Sequence, residues 1–320
     1  MLLRLLLDAL APAGPGAPLS VLIFHRVRPA IDPLFPGEPD AGRFEQQLRW
    51  VKDWFRVLPL PEAVKGLREG SLPARPLCIT FDDGYADNAT LALPILRRLG
   101  LTATFFIATG YLNGGRMWND TIIEAVRGAP GPDLDLSDLD LDVLPISDVP
   151  AKRAAIHGLL TRLKHLPVTE RQRKTDAVAE RAGTARPGDL MLTDGQVREI
   201  RAAGMTIGAH TVTHPILAKL DDDSARREIA ESKTYLEALL DEPVRLFAYP
   251  NGKPVQDYNA AHVAMARELG FEAALSTAAG VGHHGCDLFQ IPRFTPWDRA
   301  RSRYGLRLAL NVRQTRYATV

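Results

Sequence analysis

Short apolar runs alternate along this chain with stretches whose apolar positions recur at helical spacing. Leu19-Ser20-Val21-Leu22-Ile23-Phe24-His25 reads as a buried strand, and Phe44 to Phe55 as an amphipathic helix. Leu77-Cys78-Ile79-Thr80-Phe81 is a second buried strand. A helix over 89–99 follows, closed by Gly100, where a left-handed cap favours glycine. Residues 102–108, rich in Thr and Phe, form a third strand. Strand, helix and strand in this order predict parallel βαβ units.

The rhythm stops from about 113 to 192. An acidic Leu/Asp alternation runs from Asp133 to Leu144, and an amphipathic basic stretch from Ala151 to about Arg181 reads as helix. Asp133-Leu134-Asp135-Leu136 lacks the glycine and closing glutamate of an EF-hand loop. Its two-residue period predicts a half-buried strand instead. The segment is expected to be a largely helical insertion that walls one side of a site. The rhythm resumes with a helix over 193–203, N-capped by Thr193, and a strand over 205–209. A helix over 221–240, a strand over 244–248, a helix over 260–269 and a strand over 271–276 complete it. The expected organisation is an N-terminal helix and Pro/Gly/Ala linker (1–18), an α/β domain (19–300) with the 113–192 insertion, and a tail (301–320).

A chain of 320 residues, 46% hydrophobic, has ample core for a single large α/β domain. Its formal net charge of +1 gives no electrostatic case for nucleic acid as a partner. Cys78 and Cys286 form no CxxC, so neither a disulfide framework nor a thiolate metal site is indicated. The apolar start, Met1 to Leu10, is interrupted by Arg4 and Asp8, which makes a poor signal-peptide core, although Ala9-Leu10-Ala11 offers a small-residue cleavage site. No run approaches the ~20 apolar residues of a membrane span. A short amphipathic helix fits better, packed on the body or touching a membrane through residues 1–10. A cytoplasmic or membrane-peripheral location is therefore expected, ahead of export.

Chemically capable residues fall just after predicted strands: Asp82 and Asp83, His210, and Tyr249-Pro250-Asn251-Gly252. In parallel α/β barrels this rim is where sites form. Asp-Asp-Gly by itself is a common turn. Neighbouring residues on a strand, however, leave the backbone in different directions and can take different tasks. His210 and His214 are spaced so that both can face one ion from a single helical turn. Thr211 stands where a zinc-protease helix carries its glutamate, so a base must come from elsewhere. The Asp pair can supply one carboxylate ligand and one free base. Two His and one Asp leave room for water and substrate, the pattern of catalytic zinc and related divalent sites. A leaving amine also needs an acid, and His25, His283 and His284 are available.

Thr80-Phe81-Asp82-Asp83-Gly84 together with His210-Thr211-Val212-Thr213-His214-Pro215 resembles the first two signature motifs of the polysaccharide deacetylases (carbohydrate esterase family 4, the NodB-homology domain). The resemblance spans about 19–300 apart from the insertion. It implies a distorted, incomplete (β/α) barrel, with Asp82 as base and Asp83, His210 and His214 as ligands of one divalent metal. Zn²⁺ comes first, with Co²⁺, Ni²⁺ and Fe²⁺ as alternatives. Phe247 to Gly252 resembles the third motif, which implies a groove wall and oxyanion contacts from Tyr249, Pro250 and Asn251; many members carry an aromatic residue in place of Asn251. The usual late Leu-x-x-His motif is missing. Val21 to Val27 is instead similar to the rearranged branch that deacetylates poly-N-acetylglucosamine, which implies His25 as acid ahead of His283 or His284. Ile291-Pro292-Arg293-Phe294 resembles the family's late Pro-Arg segment, with Arg293 either pairing with Asp82 or lying in a surface salt bridge. Trp118 and Trp297 either stack on a sugar or pack internally. The expected activity is metal-dependent removal of N-acetyl groups from N-acetylhexosamine residues of a polysaccharide or glycan precursor. The alternatives are deacylation of another amide or ester, and a catalytically inactive glycan-binding protein.

Overall fold

The structure, a computed structural model, describes residues 2–184, 188–296 and 298–320. The first half runs α1 (Leu2–Leu10), β1 (Ser20–Phe24), α2 (Ala41–Trp54), β2 (Arg56–Val57), α3 (Leu60–Glu69), β3 (Pro76–Phe81), α4 (Leu93–Leu99) and β4 (Thr104–Ile107). Between β4 and the next sheet strand lie α5 (Trp118–Gly128), a hairpin of β5 (Asp133–Asp135) and β6 (Val143–Pro145), α6 (Val149–Leu163) and α7 (Val168–Ala182). The alternation then returns as α8 (Asp194–Ala202), β7 (Thr206–Ala209), α9 (Asp222–Leu240), β8 (Leu246–Ala248), α10 (Ala260–Glu268), β9 (Ala273–Leu275) and α11 (Arg301–Val312).

Six parallel strands line up in the order β1–β3–β4–β7–β8–β9, and β2 joins the start of β3. Both faces of these strands are covered, which is why they read as continuous apolar runs. On one face Phe24, Phe81 and Phe105 stack in sequence, with 4.8 Å between the Phe81 and Phe105 centroids. On the other lie Val21, Cys78, Phe106, Leu246 and Leu275. Gly208 is required here, because a Cβ would meet the Phe106 ring at 2.5 Å.

Among the described residues the barrel does not close through a further strand. Residues 291–295 span the gap instead: Ile291 bridges Leu275 on the β9 side, while Phe294 N–H donates to Val21 O (2.9 Å) and Ile23 N–H to Thr295 Oγ1 (2.7 Å) on the β1 side. This distorted, incomplete barrel agrees with the sequence-based expectation.

Two local expectations change. The stretch from Ala151 to Arg181 is two helices, broken before Pro167, which has no N–H to donate and crowds the preceding turn. Residues 301–320 are not only a tail: α11 packs on α1 and α2, burying Tyr304, Leu308 and Val312, with Tyr304 edge-on to Trp50 at 5.6 Å. The Leu/Asp alternation forms the β5–β6 hairpin with Leu134 inward, as its period implies. The 113–192 segment carries its own apolar cluster around Ile122, Leu136, Ile156, Leu159 and Val178. In α1, Leu7 is buried while Leu5 and Leu6 are exposed. No helix among the described residues is long and apolar enough to cross a membrane. Trp297 lies outside the described residues.

Candidate active site

Asp82 and Asp83 follow β3, and His210 follows β7, so parallel pairing delivers them to the same rim. Asp83 Oδ1 lies 3.5 Å from His210 Nε2 and 3.4 Å from His214 Nε2. One ligand atom from each of the three falls within 4.8 Å of the others. His210 Nδ1 sits 2.7 Å from Ala248 O, so its proton belongs there and Nε2 presents a lone pair to the cluster. Asp83 Oδ1 is buried and has no hydrogen-bond partner among the described residues. Two imidazole nitrogens and a carboxylate oxygen converging on one point form a ligand set that fits a divalent cation. The field has the matching sign. Burial alone would lower the His210 pKa, but Asp82 and Asp83 outweigh it and hold it above the ordinary value. Burial would raise Asp83, yet His214, His210 and His25 keep it well below the usual carboxylate range. His214 goes the other way: burial lowers it to about 4 against the pull of Asp83.

The two imidazoles do not share a helical turn. Thr211 and His214 have φ of +66° and +52°, so this is a looped segment. Glu228 of α9 fixes it by accepting from Val212 N (2.9 Å), Thr213 N (2.8 Å) and Thr213 Oγ1 (2.6 Å). Tyr111 Oη donates to Thr213 O (2.8 Å) from the other side. Sequence reasoning passed over Glu228, one acidic residue among several on a solvated helix. Glu228→Ala is expected to weaken divalent-metal affinity by about 10–100-fold with the fold retained. Calorimetric titration of zinc checks this, and an unchanged affinity would show that the loop holds itself.

Asp82 is gripped on its other side. Arg293 Nη1 and Nη2 lie 2.6 and 2.7 Å from its two oxygens in a forked pair. The guanidinium is buried, with Nε donating to Ser276 O at 3.0 Å, so the surface salt-bridge alternative does not hold. Burial pushes the Asp82 carboxyl up, but Arg293 and His210 more than offset it and keep it below its ordinary value.

His25 follows β1 and lines a cavity of about 340 Å³ together with Asp82, Asp83, His210 and His214. Asn88 Nδ2 donates to the His25 carbonyl at 2.9 Å. The rival histidines sit at the opposite end of the same strand. Gly282 pairs with Leu19 before β1 begins, and His284 Nδ1 contacts Leu67 O at 2.8 Å.

In the third segment only part of the expected wall faces the cavity. The Tyr249 ring stacks on Tyr258 in the core at 3.9 Å, and its N–H is already given to Leu275 O. Pro250 has no N–H. The Asn251 N–H has no partner among the described residues, and its carbonyl accepts from Thr277 Oγ1 at 2.6 Å. Asn251 thus carries the available donor.

The insertion contributes residues that the sequence did not single out. Asp120 of α5 is buried beside the His25 cavity, accepting from Tyr85 Oη at 3.2 Å while Oδ2 has no hydrogen-bond partner among the described residues. Burial pushes its carboxyl up to about 7, with Arg26 opposing and Asp83 adding. The folded protein then holds a proton that the unfolded chain releases near pH ~4, so stability falls as pH rises from about 4 to 7. Asp120→Asn is expected to stabilise the protein progressively across that window, by up to about 4 kcal/mol above it. Denaturant melts at pH 4.5 and 8 check this, and parallel losses in both proteins would remove the assignment. Lys164 and Arg171 of the same insertion border Asp83, His214 and Asn251, together with Trp118, which the sequence had named and which also packs against the insertion's own apolar cluster.

A family profile described as polysaccharide deacetylase matches residues 69–130 and 157–274, together more than half of the chain. The chain belongs to the polysaccharide deacetylase family. The break in the match falls within the insertion, over the β5–β6 hairpin. This polysaccharide deacetylase is 21% identical to YxkH of Bacillus subtilis (strain 168) over 279 residues, 87% of this chain and 71% of that protein. A 72-residue stretch is 35% identical to the poly-beta-1,6-N-acetyl-D-glucosamine N-deacetylase of Staphylococcus aureus (strain MSSA476), covering 22% of this chain and 25% of that one. IcaB from Ammonifex degensii has the same fold, with a TM-score of 0.60 at 20% identity over 95% of this deacetylase and 98% of that chain. So does the Streptococcus pyogenes deacetylase PplD, solved with acetate, at TM-score 0.60 and 20% identity over 92% and 98%.

Proposed function

We propose that this polysaccharide deacetylase hydrolyses the acetamide of N-acetylhexosamine residues in a polysaccharide or glycan precursor. The observation that carries the reading is the division between two adjacent carboxylates: Asp82 is locked to Arg293, while Asp83 faces His210 and His214. Asp83, His210 and His214 would hold one divalent ion, zinc by this donor set, with Co²⁺, Ni²⁺ and Fe²⁺ also compatible. When bound there, such an ion polarises a carbonyl and makes water more acidic.

The chain's own groups supply the rest. Asp82, ionised and aimed by Arg293, accepts a proton as water adds to the acetyl carbon. The Asn251 N–H donates to the oxygen that gains charge. His25 delivers a proton to the nitrogen as the C–N bond breaks, releasing acetate and a free amine. The named activity of the Staphylococcus aureus relative makes poly-β-1,6-N-acetylglucosamine the first substrate to try. Intact Asp82, Asp83, His210 and His214 speak against an inactive glycan-binding role.

The test is acetate release from a panel of N-acetylated glycans, small esters and acetylated peptides, with and without chelator. Chelator-sensitive release from glycans, restored by zinc, is expected. Release that ignores chelator would overturn the metal assignment, and release from esters or peptides alone would move the substrate class. His25→Ala is expected to lower amide turnover by about 10²–10³-fold. An activated ester, whose leaving group needs no proton, should lose far less. Equal losses on both would remove His25 from the acid role.

A further inference from the structure

Two cavities meet along the line of Asp83, His214 and Asn251, and they differ in charge. The cavity holding His25 mixes signs, with Arg26 and Arg28 beside Glu38 and Asp120. The other, about 250 Å³, is lined by Trp118, Lys164 and Arg171, and its one carboxylate among the described residues is Asp83, which belongs to the metal cluster. Arg171 is only 8% exposed, yet no carboxylate among the described residues pairs with it. Its guanidinium lies over the Trp118 ring at 5.0 Å, and its hydrogen bond to Lys164 O is long at 3.5 Å. Burial pulls its pKa below the usual value, with Tyr111 opposing. Lys164 is half-buried and donates to a neutral acceptor, Asn251 Oδ1, at 2.8 Å. Elsewhere the pattern is the reverse: Arg26, Arg127 and Arg293 each meet an aspartate within 2.7 Å. A buried cation is unfavourable without a counter-charge. One buried and one half-buried cation facing the same cavity leave that counter-charge to be supplied from outside.

We propose that Lys164 and Arg171 form a subsite for an anionic substituent, a phosphate or a carboxylate, on the sugar next to the N-acetylhexosamine that is attacked. Arg171 presents a fork suited to an oxyanion, and the Trp118 ring beneath the guanidinium holds that fork in place. Asn251 joins the two functions, its N–H facing the reacting acetyl group and its side chain holding Lys164. The subsite thereby favours an acidic glycan over a neutral one of the same N-acetylhexosamine backbone. This inference rests on the deacetylase reading for its chemistry, but not for its binding.

The experiment compares acetate release from three matched trisaccharides: neutral N-acetylglucosamine units, the same with a 6-phosphate on the neighbouring sugar, and the same with a glucuronate neighbour. Wild type is expected to show a KM about 10–100-fold lower for at least one acidic substrate, and the better of the two identifies phosphate or carboxylate. Arg171→Gln and Lys164→Gln should each collapse that KM ratio with little change in the kcat ratio, while Arg171→Lys keeps part of it. Lys164 is only half-buried, so its variant keeps the test valid if Arg171→Gln unfolds. Equal KM values across the three substrates in wild type would overturn the subsite while leaving the deacetylase reading intact. Calorimetric titration of the metal-loaded protein with sulfate reads the subsite without turnover. Binding that Arg171→Gln and Lys164→Gln abolish supports it even if no substrate releases acetate, and binding that both variants retain overturns it.

Discussion

Asp82→Asn is expected to reduce acetate release by about 10²–10⁴-fold while leaving one equivalent of divalent metal on the protein. The substitution keeps the shape of the side chain and removes its capacity to take a proton. It leaves Asp83, whose Oδ1 faces His210 Nε2 and His214 Nε2, in place. Asp83→Asn should behave differently, losing metal affinity together with turnover. Metal content by elemental analysis, measured beside kcat on an N-acetylated glycan, separates the two. Near-wild-type turnover in metal-loaded Asp82→Asn would sink the assignment of the base. The Asn variant also leaves the Arg293 charge buried without its partner, so turnover must be compared below the variant's own melting temperature.

Arg293→Met should have the largest effect on stability, a loss of about 3–5 kcal/mol. Both oxygens of Asp82 are taken by Arg293, and no other fixed positive charge among the described residues touches them. Removing the guanidinium strands a buried carboxylate. The double variant Asp82→Asn/Arg293→Met should recover a good part of the loss, because a neutral pair has no charge to strand. Because Asp82 is held below its ordinary value when folded, the contribution of the pair is fully present at neutral pH. It fades only as the pH falls below about 4. Denaturant melts of the single and double variants at pH 7 provide the measurement. A single variant as stable as wild type would mean that Asp82 is neutralised or solvated by some other route.

The strands were legible because each is buried on both faces, and their order followed from the alternation with helices. The rim position of Asp82, Asp83 and His210 followed from the same alternation, since parallel strands end on the same side. Contacts between residues far apart were harder to read, and the Arg293–Asp82 pairing stood only as one of two alternatives that the family resemblance implied. Arg293 meets Asp82 across 211 positions, and Glu228 reaches Val212 and Thr213 from a helix with an unremarkable charge pattern. The helical turn expected for His210 and His214 failed because Thr211 and His214 adopt positive φ, for which neither residue type gives a signal. Tyr249 was expected at the groove from its motif, but an aromatic residue directly after a fully buried strand can equally turn inward, and here it stacks on Tyr258. The break between α6 and α7 was readable in Pro167. Arg171 and Lys164 were not, since in a basic amphipathic stretch only packing tells which cations are left without partners.

The segment that fills the gap between β9 and β1 has a consequence in time as well as in space. It carries Arg293, so the carboxylate at position 82 gains its partner only when a stretch more than two hundred residues later has docked. During synthesis from the N-terminus, β3, β4 and β7 can pair, and the metal ligands can meet, well before residue 293 emerges. Along the chain the candidate metal ligands are complete by residue 214, whereas the partner that tunes the base comes only at residue 293, so the two halves of the site depend on different lengths of chain.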